Sequence, residues 1–199
     1  MKYILYKTLK YSLKPFFRLL FLPKYIGVEN IPSKGAFVFA GNHTSPVDAA
    51  MMVSTPKRVI HMLSKKELFN TKLKNWYFRH MACIPVDRTI HDENAKNEVI
   101  KALNEGKAVG IFPEGTINKK PNEVDLLPFK KGAVKFAYKS NSVIVPFAIS
   151  GKYRLFRRGL TIEYGKPYKV KSDDYDKEIE ILRNKILKLK YRGNHEKVK

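Results

Sequence analysis

The sequence predicts an α/β fold: a mostly parallel mixed sheet covered by helices on both faces, preceded by an amphipathic helix. Three observations carry that expectation. Short apolar runs recur along the chain, separated by polar segments of helix length, which is the alternation that βαβ units produce. Several runs, Phe37-Val38-Phe39-Ala40 among them, are apolar at every position, so neither face of those strands suits water. Before them lie 28 residues without a single acid, in which cations alternate with large apolar side chains. A chain of 199 residues, 44% hydrophobic and 29% charged, suits one globular domain and excludes disorder or a collagen-like rod.

Each element follows in order. In the N-terminal stretch Leu9, Leu13, Phe16, Phe17 and Leu20 keep the three-and-four spacing of a helix face, flanked by Lys7, Lys10, Lys14 and Arg18. Pro15 is expected to kink this helix or divide it. A basic amphipathic helix of this kind suits the headgroup layer of an anionic membrane; the other reading is a helix packed on the protein's own core. Residues 1–26 are therefore read as a membrane-associating, membrane-docking segment and 27–199 as a single α/β domain, with the motif core at 36–151. Strands are expected at 36–40, 58–63, 81–86, 108–112 and 142–149. Residues 92–105 form a helix with acids in its first turn and Gly106 as its stop, and 129–138 form another. A strand at 160–164 turns at Gly165-Lys166-Pro167 into a C-terminal helix with the seam Ile179, Leu182, Ile186 and Leu189, frayed after Gly193.

Lys and Arg number 39 against 18 Asp and Glu, a net charge of +21 and a pI near 9.9. A field of that sign selects an anionic partner: nucleic acid, an anionic membrane surface, or a polyanionic substrate such as a phosphoester or coenzyme A. Cys83 is the single cysteine, so no intrachain disulfide and no cysteine-based zinc site is possible, which points to the cytosolic side. No run reaches the roughly 18 to 20 apolar residues of a membrane span. Lys14, Pro15 and Arg18 interrupt the N-terminal run and no small-residue cleavage site follows, so no signal peptide is expected.

Asn42-His43-Thr44-Ser45-Pro46-Val47-Asp48 follows a strand directly. Ser45 suits a helix N-cap and Pro46 the first helical position, so the chain turns from strand to helix just after His43. That turn lets the Asp48 carboxylate fold back onto one imidazole nitrogen and leaves the other as a proton acceptor, the arrangement of a His-Asp general base. The competing reading is a capping box in which Asp48 serves only Ser45. No HExxH spacing or second histidine at ligand distance accompanies it, so no metal site is read here. Ile111-Phe112-Pro113-Glu114-Gly115-Thr116 ends a second strand: Glu114 offers an acceptor for a hydroxyl, Gly115 a close backbone approach, Thr116 two donors for an anion. Cys83-Ile84-Pro85-Val86-Asp87-Arg88 ends a third in a guanidinium suited to phosphate. Phe129-Lys130-Lys131-Gly132-Ala133 opens a cationic helix, and Val145-Pro146-Phe147 follows it.

In this order and spacing the four elements resemble the glycerophospholipid acyltransferases, in particular the bacterial 1-acyl-glycerol-3-phosphate acyltransferases. His43 to Asp48 matches that family's HxxxxD motif, Phe112-Pro113-Glu114-Gly115-Thr116 its FPEGT block, Ile84-Pro85-Val86-Asp87-Arg88 its arginine-ended block, and Val145-Pro146-Phe147 its proline-centred block. The family often places Arg-Ser after the threonine, where this chain has Ile117-Asn118; Lys119, Lys120 or Lys130 then has to stand for the missing cation. The resemblance implies transfer of a fatty acyl group to the free hydroxyl of 1-acyl-glycerol-3-phosphate, giving phosphatidic acid. It implies His43 as general base oriented by Asp48, Arg88 on the acceptor phosphate, Glu114, Gly115 and Thr116 on its glycerol part, and Lys130 as a further phosphate contact. No bound cofactor is implied; acyl-CoA or acyl carrier protein is the co-substrate, and the leaving thiolate makes an acyl-enzyme unnecessary. An oxyanion donor is expected among the backbone N–H groups near Gly115 or the HxxxxD turn. The implied setting is a peripheral membrane protein on the cytoplasmic face, with a lysophospholipid acceptor, an anionic surface and no nucleic acid as partners. Glycerol-3-phosphate or another lysolipid stays open as acceptor. A non-enzymatic basic module that binds membrane or nucleic acid leaves His43, Asp48 and Glu114 without a use.

Outside the motifs, His61, His80, His91 and His195 have no paired carboxylate and are read as structural or surface residues, and Cys83 as a buried strand residue. Trp76, Tyr77 and Phe78 are read as core, with a membrane or acyl-groove position as the alternative, and the lysines between Lys185 and Arg192 as a solvated helix face, with membrane contact as the alternative.

Overall fold

The computed structural model describes residues 3–90 and 92–195. In chain order the elements are α1 (Ile4–Phe21), β1 (Lys24–Ile26), β2 (Phe37–Gly41), α2 (Asp48–Ser54), β3 (Ile60–Lys65), α3 (Lys72–His80), β4 (Cys83–Val86), α4 (Glu93–Asn104), β5 (Ala108–Ile111), α5 (Gly132–Lys139), β6 (Val143–Gly151), β7 (Leu160–Tyr164), β8 (Tyr168–Lys169) and α6 (Tyr175–His195). The strands form one sheet in the order β1-β7-β6-β2-β5-β3-β4, with β8 also against β6. Every pairing is parallel except those of β6 with β7 and with β8. The mostly parallel mixed sheet is thus as expected.

The side-chain period of two sorts β2 onto both faces of the sheet. Val38 and Ala40 pack with α4, α5 and α6 through Val99, Leu103, Val134, Leu182 and Ile186. Phe37 and Phe39 pack on the other face with Met51 and Met52 of α2 and Phe21 of α1. All four β2 side chains are fully buried, and each phenylalanine contributes about 1.5–3 kcal/mol by leaving water. Gly41 closes the strand because a Cβ there would lie 2.4 Å from the Phe147 ring. That close approach packs β6 tightly against the end of β2, where the chain enters the HxxxxD turn.

The N-terminal segment combines both readings of its helix and adds a strand. Pro15 does not divide α1, which runs from Ile4 to Phe21; Pro15 and Tyr11, whose carbonyl loses its donor, are both exposed, so solvent serves that group. One side of α1 lies on the domain: the Lys10 ammonium donates to the carbonyls of Pro56 and Arg58, and the Tyr6 hydroxyl accepts from Ile60 N–H at 3.1 Å. The other side leaves Leu13, Phe16 and Leu19 exposed. Lys24–Ile26, within the segment read as membrane-associating, is an edge strand parallel to β7. Further along, α5 begins at Gly132, so Phe129 and Lys130 precede it.

One core assignment and one surface assignment need correction. Trp76 and Tyr77 stand on α3, a helix with no buried residue, and are exposed. Lys190, placed on a solvated face, is buried and paired with Asp125 at 2.7 Å, tying α6 to the loop before α5. His61 is buried in β3 between the Ala108 carbonyl and the Tyr3 hydroxyl, and His80 bonds the Trp76 carbonyl. Cys83 is half-buried, and burial pushes its thiol up, away from nucleophilic use. His91 and the side chain of His195 lie outside the described residues.

Candidate active site

The motifs meet beyond the C-terminal ends of β2, β4 and β5, the edge where parallel α/β sheets collect ligands. His43 lies two residues past β2, at the corner before α2. Its Nδ1 is 3.1 Å from Asp48 Oδ2. The same oxygen accepts from the N–H groups of Thr44 at 2.5 Å and Ser45 at 2.8 Å, and Oδ1 accepts from the Tyr153 hydroxyl. With the Thr44 and Ser45 N–H groups and the Tyr153 hydroxyl all donating to it, the fully buried carboxyl is placed as an acceptor, and the tautomer that matches this pattern has the ring proton on Nδ1 and a lone pair on Nε2. The ring retains 15% side-chain exposure.

The two readings of Asp48 therefore coincide. Its bond to Ser45 N–H is half of a capping box, while its bond to His43 is that of an orienting carboxylate. The other half is absent: Ser45 Oγ accepts from Val47, and the helix starts at Asp48 itself, two residues later than the proline at 46 suggested.

The His43 backbone is clamped as firmly as its ring. Its N–H donates to Glu114 Oε1 at 2.7 Å, and its carbonyl accepts from Asn118 N–H at 2.7 Å. Glu114 Oε2 accepts from Leu127 N–H at 2.8 Å. Glu114 is 4% exposed, and burial raises its pKa. The Phe112 ring stacks on the imidazole, centroids 4.0 Å apart and planes 8° from parallel.

Phe112 also lines a cavity of about 490 Å³, a size suited to a small ligand or an acyl chain. Its floor is apolar, from Leu63, Val86, Ile111, Pro113 and Phe136, and its rim carries Arg88, Lys96, Lys130, Lys131, Lys135 and Lys139. The Arg88 guanidinium donates to the Gly115 carbonyl at 2.5 Å, joining the arginine-ended block to the FPEGT block. Gly115 holds φ of +67°, and Lys130 lies over it, with Cε 3.0 Å from where a Cβ would stand. Of the three lysines considered for the missing cation, Lys130 lines the cavity, whereas Lys120 pairs with Glu123 at 2.9 Å and Lys119 is exposed. Thr116 is exposed at the turn.

A model of the acyltransferase family matches residues 23–150. The chain belongs to the acyltransferase family. This acyltransferase is 33% identical over 168 residues to the 1-acyl-sn-glycerol-3-phosphate acyltransferase of Bacillus subtilis, covering 82% of each chain. It is 31% identical to the enzyme of the same name from Borreliella burgdorferi, covering 81% of this chain and 69% of that one. Its fold is that of the 1-acyl-sn-glycerophosphate (LPA) acyltransferase PlsC from Thermotoga maritima, with a TM-score of 0.70 at 24% identity over 92% of this chain and 80% of the other.

Sequence reasoning missed four residues of the acyltransferase site. Phe112 ends a strand and opens the FPEGT block in the sequence, and neither feature signals its stack on the imidazole. Asn118 was seen as a departure from the family pattern, yet at 2% exposure it bonds the His43 carbonyl and the Val124 carbonyl. Asn42 exchanges bonds with both backbone groups of Ile149, at 2.9 and 2.7 Å. Tyr153 lies 105 residues from Asp48, beyond the reach of any spacing rule.

Proposed function

We propose that the chain moves a fatty acyl group from a thioester, acyl-CoA or acyl carrier protein, to the free hydroxyl of 1-acylglycerol-3-phosphate, giving phosphatidic acid. The names of the bacterial relatives support the acceptor, and the orientation of the His43 ring carries the mechanism. Nε2 removes the hydroxyl proton as the alkoxide oxygen bonds the thioester carbonyl. The tetrahedral intermediate then collapses with departure of the thiolate, and the proton on Nε2 passes to that sulfur. Asp48 holds the imidazole in the required tautomer and offsets its positive charge. A base of this kind supplies about 10²–10⁴-fold in rate.

The N–H groups of His43, Thr44, Ser45 and Gly115 are engaged by Glu114, Asp48, Asp48 and the Phe112 carbonyl, which favours Thr116 as the oxyanion donor. Glu114 acts through the His43 backbone, a role supported by the N–H groups of His43 and Leu127 that its two oxygens accept, and its remaining lone pairs stay available to the acceptor's glycerol part. Arg88 and Lys130 receive the acceptor phosphate, with the apolar cavity floor beneath for an acyl chain. No metal or redox cofactor has a step in this scheme. The protein sits peripherally on the cytoplasmic face of an anionic membrane, a reading supported by the exposed apolar row of α1 amid its cations; among the described residues no helix is long and apolar enough to cross a membrane.

Purified protein incubated with acyl-CoA or acyl carrier protein, and with lysophosphatidic acid or glycerol-3-phosphate, tests this by mass spectrometry. Phosphatidic acid from lysophosphatidic acid is the expected product. Acylation of glycerol-3-phosphate alone contradicts the acceptor assignment, and no acylation with either donor contradicts the activity.

A further inference from the structure

The connection between β6 and β7, residues 152–159, reads Lys-Tyr-Arg-Leu-Phe-Arg-Arg-Gly. Four of its eight residues are cations, and none of Lys152, Arg154, Arg157 and Arg158 is ion-paired among the described residues. Its tip presents Leu155, 60% exposed, and Phe156, 66% exposed, the latter among the most exposed aromatics of the chain. Phe156 holds φ of +55°, a left-handed backbone that is strained for a bulky residue. The loop is also fixed: Phe156 N–H donates to the Leu20 carbonyl at the end of α1 at 2.6 Å, and the Tyr153 ring stands edge-on to Phe21 at 5.2 Å. Neighbouring α1 exposes Leu19 at 66%, Leu22 at 39% and Phe16 at 54%, with Arg18 among them.

We propose that residues 152–159 are a second membrane-contact element, whose Leu155–Phe156 tip enters an anionic bilayer while Arg154, Arg157 and Arg158 bind its headgroups. The inference deepens the membrane placement proposed above and rests on it. An acidic carrier protein would need the charges alone. A strained apolar tip tied to the exposed apolar row of α1, with cations on both sides, fits the layered chemistry of a lipid surface. The root of the loop is Tyr153, whose hydroxyl bonds Asp48, so the tip begins two residues from a side chain that touches the His43–Asp48 pair.

The test uses the full chain, phosphatidylcholine vesicles with and without phosphatidylglycerol, and a short-chain lysophosphatidic acid that dissolves as monomer. Leu155→Ser with Phe156→Ser, and separately Arg154→Gln with Arg157→Gln and Arg158→Gln, are each expected to weaken partition onto anionic vesicles by about tenfold or more. Turnover of the dissolved acceptor is expected to stay within about twofold of the parent, since the chemistry itself needs no bilayer. Unchanged partition in both variants overturns the proposal. So does an arginine variant whose KM rises for acyl carrier protein while its vesicle binding holds, which makes the loop a protein-docking site. Phe156→Trp in a Trp76→Phe background reports insertion without loss of the loop: quenching by brominated lipid is expected, and unquenched emission from vesicle-bound protein overturns the proposal. Failure of the parent chain to acylate the dissolved acceptor bears instead on the activity.

Discussion

Asp48 does more than one task with one carboxylate. Two backbone N–H groups hold Oδ2 in place, so the bond to His43 starts from a fixed acceptor, while Tyr153 holds Oδ1 from the far side. Hydrogen bonds to charged groups are worth about 1.5–3 kcal/mol, so losing one loosens the pair without emptying the site. Tyr153→Phe is expected to lower kcat by about tenfold while leaving both KM values unchanged, because Tyr153 positions the base and touches neither substrate; steady-state kinetics separates the two. A rise in KM with kcat unaltered contradicts that role. The His43–Asp48 pair was legible in the sequence because a cap residue and a proline mark the corner. Tyr153, Asn42 and Phe112 were not, since they join the pair through a loop hydroxyl, a sheet neighbour and a ring stack that no local pattern encodes.

At the scale of elements, the loop that carries Arg88 is built on Asp87. Its N–H bonds the Asp92 carboxylate that caps α4, while its own carboxylate accepts from Thr89 and pairs with Lys66. Lys66 and Thr89 hold the Asp87 carboxyl down from 3.8 to about 2. The ionised form is thus favoured on folding, and its stabilisation is complete above the ordinary carboxylate range and lost as pH falls toward about 2. Asp87→Asn is expected to lower the melting temperature at neutral pH, with the gap to the parent closing between about pH 4 and 2; melting curves at stepped pH measure it, and a gap independent of pH contradicts it. The longer elements were predictable from continuous apolar runs and caps, such as Asp92 before α4. The missed ones had no such signal. β1 has three residues within a cationic stretch, β8 has two, and both take their identity from remote partners. α3 buries none of its nine residues: Leu73, Trp76 and Tyr77 keep a three-and-four spacing, but the apolar face they form is exposed, so no core partner marks it.

Over the whole molecule, a net charge of +21 places cations on the cavity rim, along α1 and around the 152–159 loop. In the proposed function one field thereby serves the phosphate-bearing acceptor, the donor and the lipid surface. Its reach shrinks with salt, from about 30 Å at 0.01 M to about 8 Å at 0.15 M ionic strength. Partition onto anionic vesicles is expected to fall at least about tenfold across that range and on neutral vesicles to change little, by sedimentation assay. Equal salt dependence on both surfaces contradicts an electrostatic attachment. The central claim, that His43 removes the acceptor proton, is tested most directly by His43→Ala at unaltered melting temperature. Acyl transfer to lysophosphatidic acid is expected to fall by at least about 10²-fold; turnover at the parent rate in the folded variant contradicts the account.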